Sequence, residues 1–138
     1  MSLACSLDLE IEQFDVVAAF LNADVDEDIY MHPPPGLEGT SSHGQRLVCK
    51  LKRSLYGIKH APRSWQALLS SWLLSYGFRQ SKADPSLYTL FRNDQLFALA
   101  VYVDDCLLIG RNCKFLSEFK TEFSSRFQIE DLGPASWI

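Results

Sequence analysis

Leu96-Phe97-Ala98-Leu99-Ala100-Val101-Tyr102-Val103-Asp104-Asp105-Cys106-Leu107-Leu108-Ile109-Gly110 is two apolar runs broken by a pair of aspartates. Each run has the length of a buried strand, and Asp-Asp is ordinary turn composition, so the stretch predicts a hairpin. The turn lacks the glycine that the tightest hairpins prefer, although both flanking strands are strongly apolar. Immediately upstream, Ser86–Arg92 reads as another strand, joined to the first through Asn93-Asp94. Downstream, Phe115, Phe119 and Phe123 recur at four-residue steps within a helix expected over about Asn112–Arg126. A last strand is expected to begin within Phe127–Glu130.

The N-terminal half supplies the partners. Leu7–Val16 alternates apolar and acidic residues at period two and predicts a strand ending near Asp15. A short helical turn follows over Val17–Asn22. Ile29–Met31 and Leu47–Arg53 read as an inserted hairpin, separated by the loop that starts at His32-Pro33-Pro34-Pro35-Gly36. A long helix then runs from Pro62, a residue suited to the first helical position, to a stop at Gly77. Trp65, Leu68, Leu69, Trp72, Leu73 and Tyr76 mark its buried stripe.

With the inserted hairpin set aside, the order is the split β-α-β-β-α-β (ferredoxin-like) pattern. The fold class expected is therefore α+β, an antiparallel sheet with two helices on one face, forming one domain over residues 1–138. The Cys106–Gly110 strand is expected between the first strand and the Leu96–Val103 strand. That order brings Asp15 to the same end of the sheet as Asp104 and Asp105, on strands about 4.8 Å apart. Three crowded carboxylates repel one another, and hard divalent cations with oxygen ligands resolve the repulsion. Taken singly, Asp15 reads first as a helix N-cap and Asp104-Asp105 as a plain turn. The shared edge favours the metal reading and leaves polymerase and nuclease both open.

Charge is unevenly distributed. The net charge is −4, yet no Lys or Arg occurs before Arg46, while Arg46, Lys50, Lys52, Arg53, Lys59 and Arg63 follow with no acid among them. A basic strip combined with an acidic centre suits a protein that handles a polyanion together with metal ions. The acidic N-terminus has no secretory pattern, and the longest apolar run is too short to span a bilayer, so an intracellular, non-membrane protein is expected. Cys5, Cys49, Cys106 and Cys113 form no CxxC pair and read as free, buried thiols.

Four blocks carry a resemblance: FDVVAAFLNADVDEDIYMHPPPGL from Phe14, VCKLKRSLYGIKHAPRSW from Val48, GFRQSKADPSLYTL from Gly77 and AVYVDDCLLIG from Ala100. In that order and spacing they resemble copia-type LTR-retrotransposon reverse transcriptases, from about Leu7 to Gly133. The resemblance implies a polymerase palm and an RNA-directed DNA polymerase that transfers a deoxynucleotide to a primer 3′-hydroxyl with two Mg²⁺ (or Mn²⁺) ions. It implies metal-binding and catalytic roles for Asp15, Asp104 and Asp105. Val16, Val17, Ala18, Ala19, Phe20, Tyr56 and Gly57 would meet the dNTP, with Phe20 as the aromatic gate against a ribose 2′-hydroxyl. Lys52, Arg53, Lys59, Arg63 and Tyr102 would meet the RNA/DNA template-primer. The remaining partner implied is the rest of the retrotransposon polyprotein, in a cytoplasmic particle or the nucleus.

There are departures from the family pattern. Val17-Ala18 stands where the family commonly has Lys-Thr, His60 where Gln is common, and Glu130 where Lys is frequent. Only fourteen residues precede Asp15, so the fingers are expected to be incomplete, with thumb and RNase H regions absent and the chain alone inactive as a polymerase. A catalytically dead nucleic-acid-binding remnant and a metal-dependent nuclease are the rival expectations; Phe20 and the SLYGIKHAPR loop argue against the nuclease.

Overall fold

The computed structural model describes residues 6–25 and 27–135 and divides the chain into two compact units. One comprises residues 1–19 and 66–138; the other comprises residues 20–65. The first unit carries a six-stranded antiparallel sheet in the order β4-β5-β6-β7-β1-β8. Its strands are β1 (Glu10–Val16), β4 (Arg79–Gln80), β5 (Leu87–Arg92), β6 (Gln95–Tyr102), β7 (Asp105–Gly110) and β8 (Ile129–Pro134). Helix α1 (Ala61–Tyr76) begins in the second unit and runs into the first, and α2 (Cys113–Arg126) joins β7 to β8. The α+β class expected from the sequence holds, and β7 lies between β1 and β6 as the strand pattern required.

Period-two alternation decides which face is covered. Phe14 and Val16 on β1, Phe97 and Leu99 on β6, and Cys106 and Leu108 on β7 are buried. Phe14 meets Phe123 of α2 at a ring-centroid separation of 5.1 Å, and Phe97 meets Phe115 at 3.9 Å. Trp72 of α1 lies 5.1 Å from Phe123 and 5.9 Å from both Phe119 and Phe127, so the two helical stripes meet in one aromatic cluster over the sheet. Gly110 closes the same layer, because a Cβ there would collide with the buried Phe97 ring.

Local chemistry fixes the helix ends. Gly77, at φ +113°, terminates α1, with Phe78 N–H donating to Leu73 C=O and Gly77 N–H donating to Leu74 C=O. That pair of bonds is the Schellman arrangement, in which a glycine satisfies the left-handed position. Asn112 caps α2 by accepting from Phe115 N–H at 3.1 Å. Asn93 and Asp94 both have positive φ, the type I′ pattern of a two-residue hairpin between β5 and β6.

In the second unit, β2 (Tyr30–Met31) pairs antiparallel with β3 (Cys49–Lys50) as the inserted hairpin expected from the sequence. The strand expected over Leu47–Arg53 shrinks to those two residues. Beyond it Arg53 forms only an isolated bridge with Asp24, and its guanidinium reaches the Asp24 carboxylate at 2.8 Å and the Asn22 carbonyl at 3.1 Å. Of the cysteines expected to be buried, Cys106 is, Cys49 is half-buried and Cys113 is exposed, all three as free thiols. Cys5 and Asp26 lie outside the described residues. Among the described residues no helix is long and apolar enough to cross a membrane.

One polar staple ties the helix layer to the sheet. Lys120 of α2, mostly withdrawn from solvent, donates to Glu12 of β1 at 2.5 Å and to Asp131 of β8 at 2.7 Å. The bond from Lys120, reinforced by Gly133 N–H and opposed by partial burial, holds the Asp131 carboxyl below its usual range. A depressed carboxyl contributes stability above its unfolded pKa and loses it as pH falls through the folded value. Asp131→Asn is therefore expected to lower the thermal midpoint by roughly 2–4 °C at pH 7. The gap should close below about pH 4, where the unfolded carboxyl already binds its proton. Melting curves from pH 2 to 7 check this; a gap independent of pH would mean the carboxylate acts by shape alone.

Candidate active site

The acidic end of the sheet is built by register. Asp15 on β1 is paired directly with Asp105 on β7, and Asp105 is paired in turn with Tyr102 on β6. Directly opposed residues of an antiparallel pair project to the same face. Because Phe14 and Val16 face the helices, this row occupies the other face of the sheet. Asp15 is a strand residue paired on both sides, and the 3-10 turn Ala19–Asn22 begins only four residues later, so the capping role drops away.

The hairpin tip differs slightly from the sequence expectation. Val103 and Asp104 form the two-residue turn, whereas Asp105 is the first residue of β7. Asp104 is tied to β1 through its carbonyl, which accepts from Val16 N–H at 2.9 Å. Val103 has φ +58°, a left-handed conformation that a β-branched side chain adopts only under strain. Strain of this kind, about 1–3 kcal/mol, persists where the surrounding structure over-determines it, and such positions concentrate at functional sites.

Burial, together with the charges of Asp104, Asp105 and Glu130, holds the Asp15 carboxyl above the usual carboxylate range. Glu130 is the residue that sequence reasoning missed. It stands on β8 directly opposite Asp15, on the side away from Asp105. The donor chemistry of this row, carboxylate oxygens throughout, fits a hard divalent cation. Among the described residues, however, no three His, Cys, Asp or Glu side chains are gathered around one point where an ion could be held.

The other residues singled out from the sequence fall as follows. Val16 and Ala19 are buried, Val17 is exposed, and Ala18 takes a positive φ of +51° where the chain leaves β1. Phe20 is buried, with its ring 4.4 Å from that of Tyr56, and both lie in the second unit. Tyr56 and Gly57 occupy the centre of the turn Leu55–Ile58, closed by Ile58 N–H to Leu55 C=O at 3.2 Å. Gly57, at φ +90°, sits where such a turn requires glycine. Lys52, Lys59 and Arg63 are exposed, as is Tyr102, whereas Arg53 is engaged with Asp24 and Asn22.

The family model described as reverse transcriptase (RNA-dependent DNA polymerase) matches residues 1–138. The chain belongs to that family. Its relatives bear out the copia-type resemblance. A retrovirus-related Pol polyprotein from transposon TNT 1-94 of Nicotiana tabacum is 42% identical over 139 residues, covering 100% of this chain and 10% of that protein. One from transposon RE1 of Arabidopsis thaliana is 40% identical over 121 residues, covering 88% of this chain and 8% of the relative. The transposon Ty1-BL Gag-Pol polyprotein of Saccharomyces cerevisiae is 28% identical over 130 residues, covering 91% and 7%. This reverse transcriptase chain thus spans a tenth or less of these polyproteins. No solved structure matches it.

Proposed function

We propose that this chain supplies the acidic centre of an RNA-directed DNA polymerase palm of the split β-α-β-β-α-β type, in which a primer 3′-hydroxyl attacks the α-phosphate of a bound deoxynucleotide and pyrophosphate leaves. The observation that carries the reading is the register pairing Asp15 with Asp105, with Asp104 in the adjoining turn. Family membership supports a polymerase reading ahead of the nuclease that an acidic row alone would also suit. Asp15, Asp104 and Asp105 are the residues that would hold two Mg²⁺ or Mn²⁺ ions. Bound there, such ions supply Lewis-acid stabilisation of the attacking and leaving oxygens. The chain's own contribution is positioning. Two-sided pairing of β1 fixes Asp15, and the bond from Val16 N–H fixes the Asp104 backbone. Exposed Lys52, Lys59 and Arg63 are suited to template-primer phosphates, and Tyr102 to a nucleic-acid strand.

Phe20, five residues after Asp15, is assigned the gate against a 2′-hydroxyl, and its packing on Tyr56 is consistent with a ring held in one position. The test is primer extension on an RNA template by an enzyme carrying this segment within its Pol polyprotein. Phe20→Ala is expected to raise ribonucleotide incorporation relative to deoxynucleotide by about tenfold or more, since a wall that excludes one small group is worth ~1–3 kcal/mol. An unchanged ratio would place the gate on another residue. Cleavage of a duplex without extension would replace the polymerase reading with a nuclease.

A further inference from the structure

We infer that the sheet face opposite the helices is a docking surface for an apolar segment of the same polyprotein, lying outside residues 1–138.

Alternation along an antiparallel strand ordinarily turns an apolar face to a core and a polar face to water. β6 and β7 depart from that pattern. Phe97, Leu99, Cys106 and Leu108 are buried on the helix side, yet the residues between them are apolar too. Strands that read as near-continuous apolar runs belong to sheets covered on both faces. Register gathers the second-face residues into rows. Ile11, Ile109 and Ala98 stand in one row, and Gln13, Leu107 and Ala100 in the next. β5 extends them with Thr89 and Leu87 and adds the pair Phe91↔Leu96. No member of these rows is charged and none is buried, and Phe91 and Leu96 are exposed. Exposed apolar surface that is contiguous in this way marks an interaction site.

The face continues past Leu96 into a cleft of about 450 Å³, which Leu96 lines together with Leu7, Leu9, Asp94, Gln95 and Arg111. Arg111 donates to the Leu7 C=O at 2.5 and 3.0 Å and so tethers Leu7 to the end of β7. The sheet edges, by contrast, resist a partner. β4 is two residues long and carries Arg79. β8 carries Glu130, Asp131, Pro134 and a bulge at Leu132, where pairing with β1 skips one residue. Short, charged and bulged edges discourage strand addition, which leaves the face as the surface open to association.

Three occupants compete. Nucleic acid binds through its phosphates, and these rows offer it no Lys or Arg. A second copy would bring together two chains of net charge −4. The polyprotein offers a third: this chain spans a tenth or less of the relatives it matches. A tethered segment acts at an effective concentration of about 1 mM, so a contact with a dissociation constant of about 0.1 mM is already ~90% formed. A modest apolar face therefore suffices within one polyprotein, where it would fail between separate molecules.

The experiment puts a probe thiol at the middle of the face with Ala98→Cys and follows its alkylation by iodoacetamide, resolved by mass spectrometry. Rates are compared between the isolated chain and a polyprotein carrying this segment, without nucleic acid. Alkylation in the polyprotein is expected to be about tenfold slower. Adding Phe91→Ser to that polyprotein is expected to cut the protection to about twofold, since truncating a large apolar anchor weakens such a contact about tenfold. Ala100→Cys, one row away, is expected to behave alike and stands in if Ala98→Cys does not fold. Equal rates in the isolated chain and the polyprotein would overturn the inference. Protection already present in the isolated chain and rising with its concentration would assign the face to a second copy instead. Protection that appears only with template-primer would assign it to nucleic acid. Protection unmoved by Phe91→Ser would make the shielding a matter of bulk, and would overturn docking on this face as well.

Discussion

Phe119→Ala is expected to lower the unfolding free energy by about 3–5 kcal/mol, the usual cost of emptying a buried phenylalanine site. Phe119 is fully buried and is the hub of the aromatic cluster. Its ring lies 5.2 Å from Tyr76, 5.3 Å from Phe78, 5.8 Å from Phe123, 5.9 Å from Trp72 and 6.4 Å from Phe115. These neighbours come from both helices and from the residue after the α1 cap, so truncation leaves a cavity that no single element can close. A domain of this size has about 5–15 kcal/mol in total, and the substitution removes a large share. Denaturant titration followed by circular dichroism gives the number. Phe91→Ala is the comparison, because Phe91 is 70% exposed and its loss should stay within about 0.5 kcal/mol. A Phe119→Ala cost below about 1 kcal/mol would mean the two helices do not share one core.

On the proposed function, Asp104→Asn is expected to abolish Mn²⁺ binding by the chain and to lower primer extension by an enzyme carrying this segment by about a thousandfold. The substitution preserves size and removes the charge, so the Val103–Asp104 turn and the bond from Val16 N–H to its carbonyl are kept. What is lost is a charged oxygen of the proposed metal-holding row, and groups in that role are worth about two to three orders of magnitude each. Loss of a proposed ligand as well as a charge places the expected effect at the upper end of that range. Titration calorimetry measures binding, and melting curves verify that the fold is retained. An unchanged isotherm would locate the ions elsewhere, for instance near Asp24 and Glu27.

The two effects draw on parts of the molecule that were largely legible in the sequence. The Phe115, Phe119, Phe123 stripe and the Trp72 stripe are local patterns, and each helix lies where its period places it. The hairpin around Asp104 was equally local, apart from the one-residue difference that makes Asp105 a strand residue. The position of β7 between β1 and β6 followed from a short turn and a long helical crossover, which leave few other arrangements. Family motifs supplied the roles proposed for Phe20, Tyr56 and Gly57, which no periodicity could have suggested.

By itself, then, the sequence determined the α+β class, the two helices and the hairpin, because short-range periodicity and turn chemistry act within a few residues, and the meeting of Asp15 with Asp105, because a short turn and a helical crossover leave few strand orders. Only the tertiary structure decided that Arg79–Gln80 joins the sheet as β4, that Lys120 bridges Glu12 and Asp131, and that Cys113 is exposed. It also decided which acid of β8 faces Asp15. Residues 130 and 131 are both carboxylates, so no hydrophobic alternation distinguishes their faces. The choice lies with the bulge at Leu132, and a bulge forms only when β8 meets β1 across more than a hundred residues of chain.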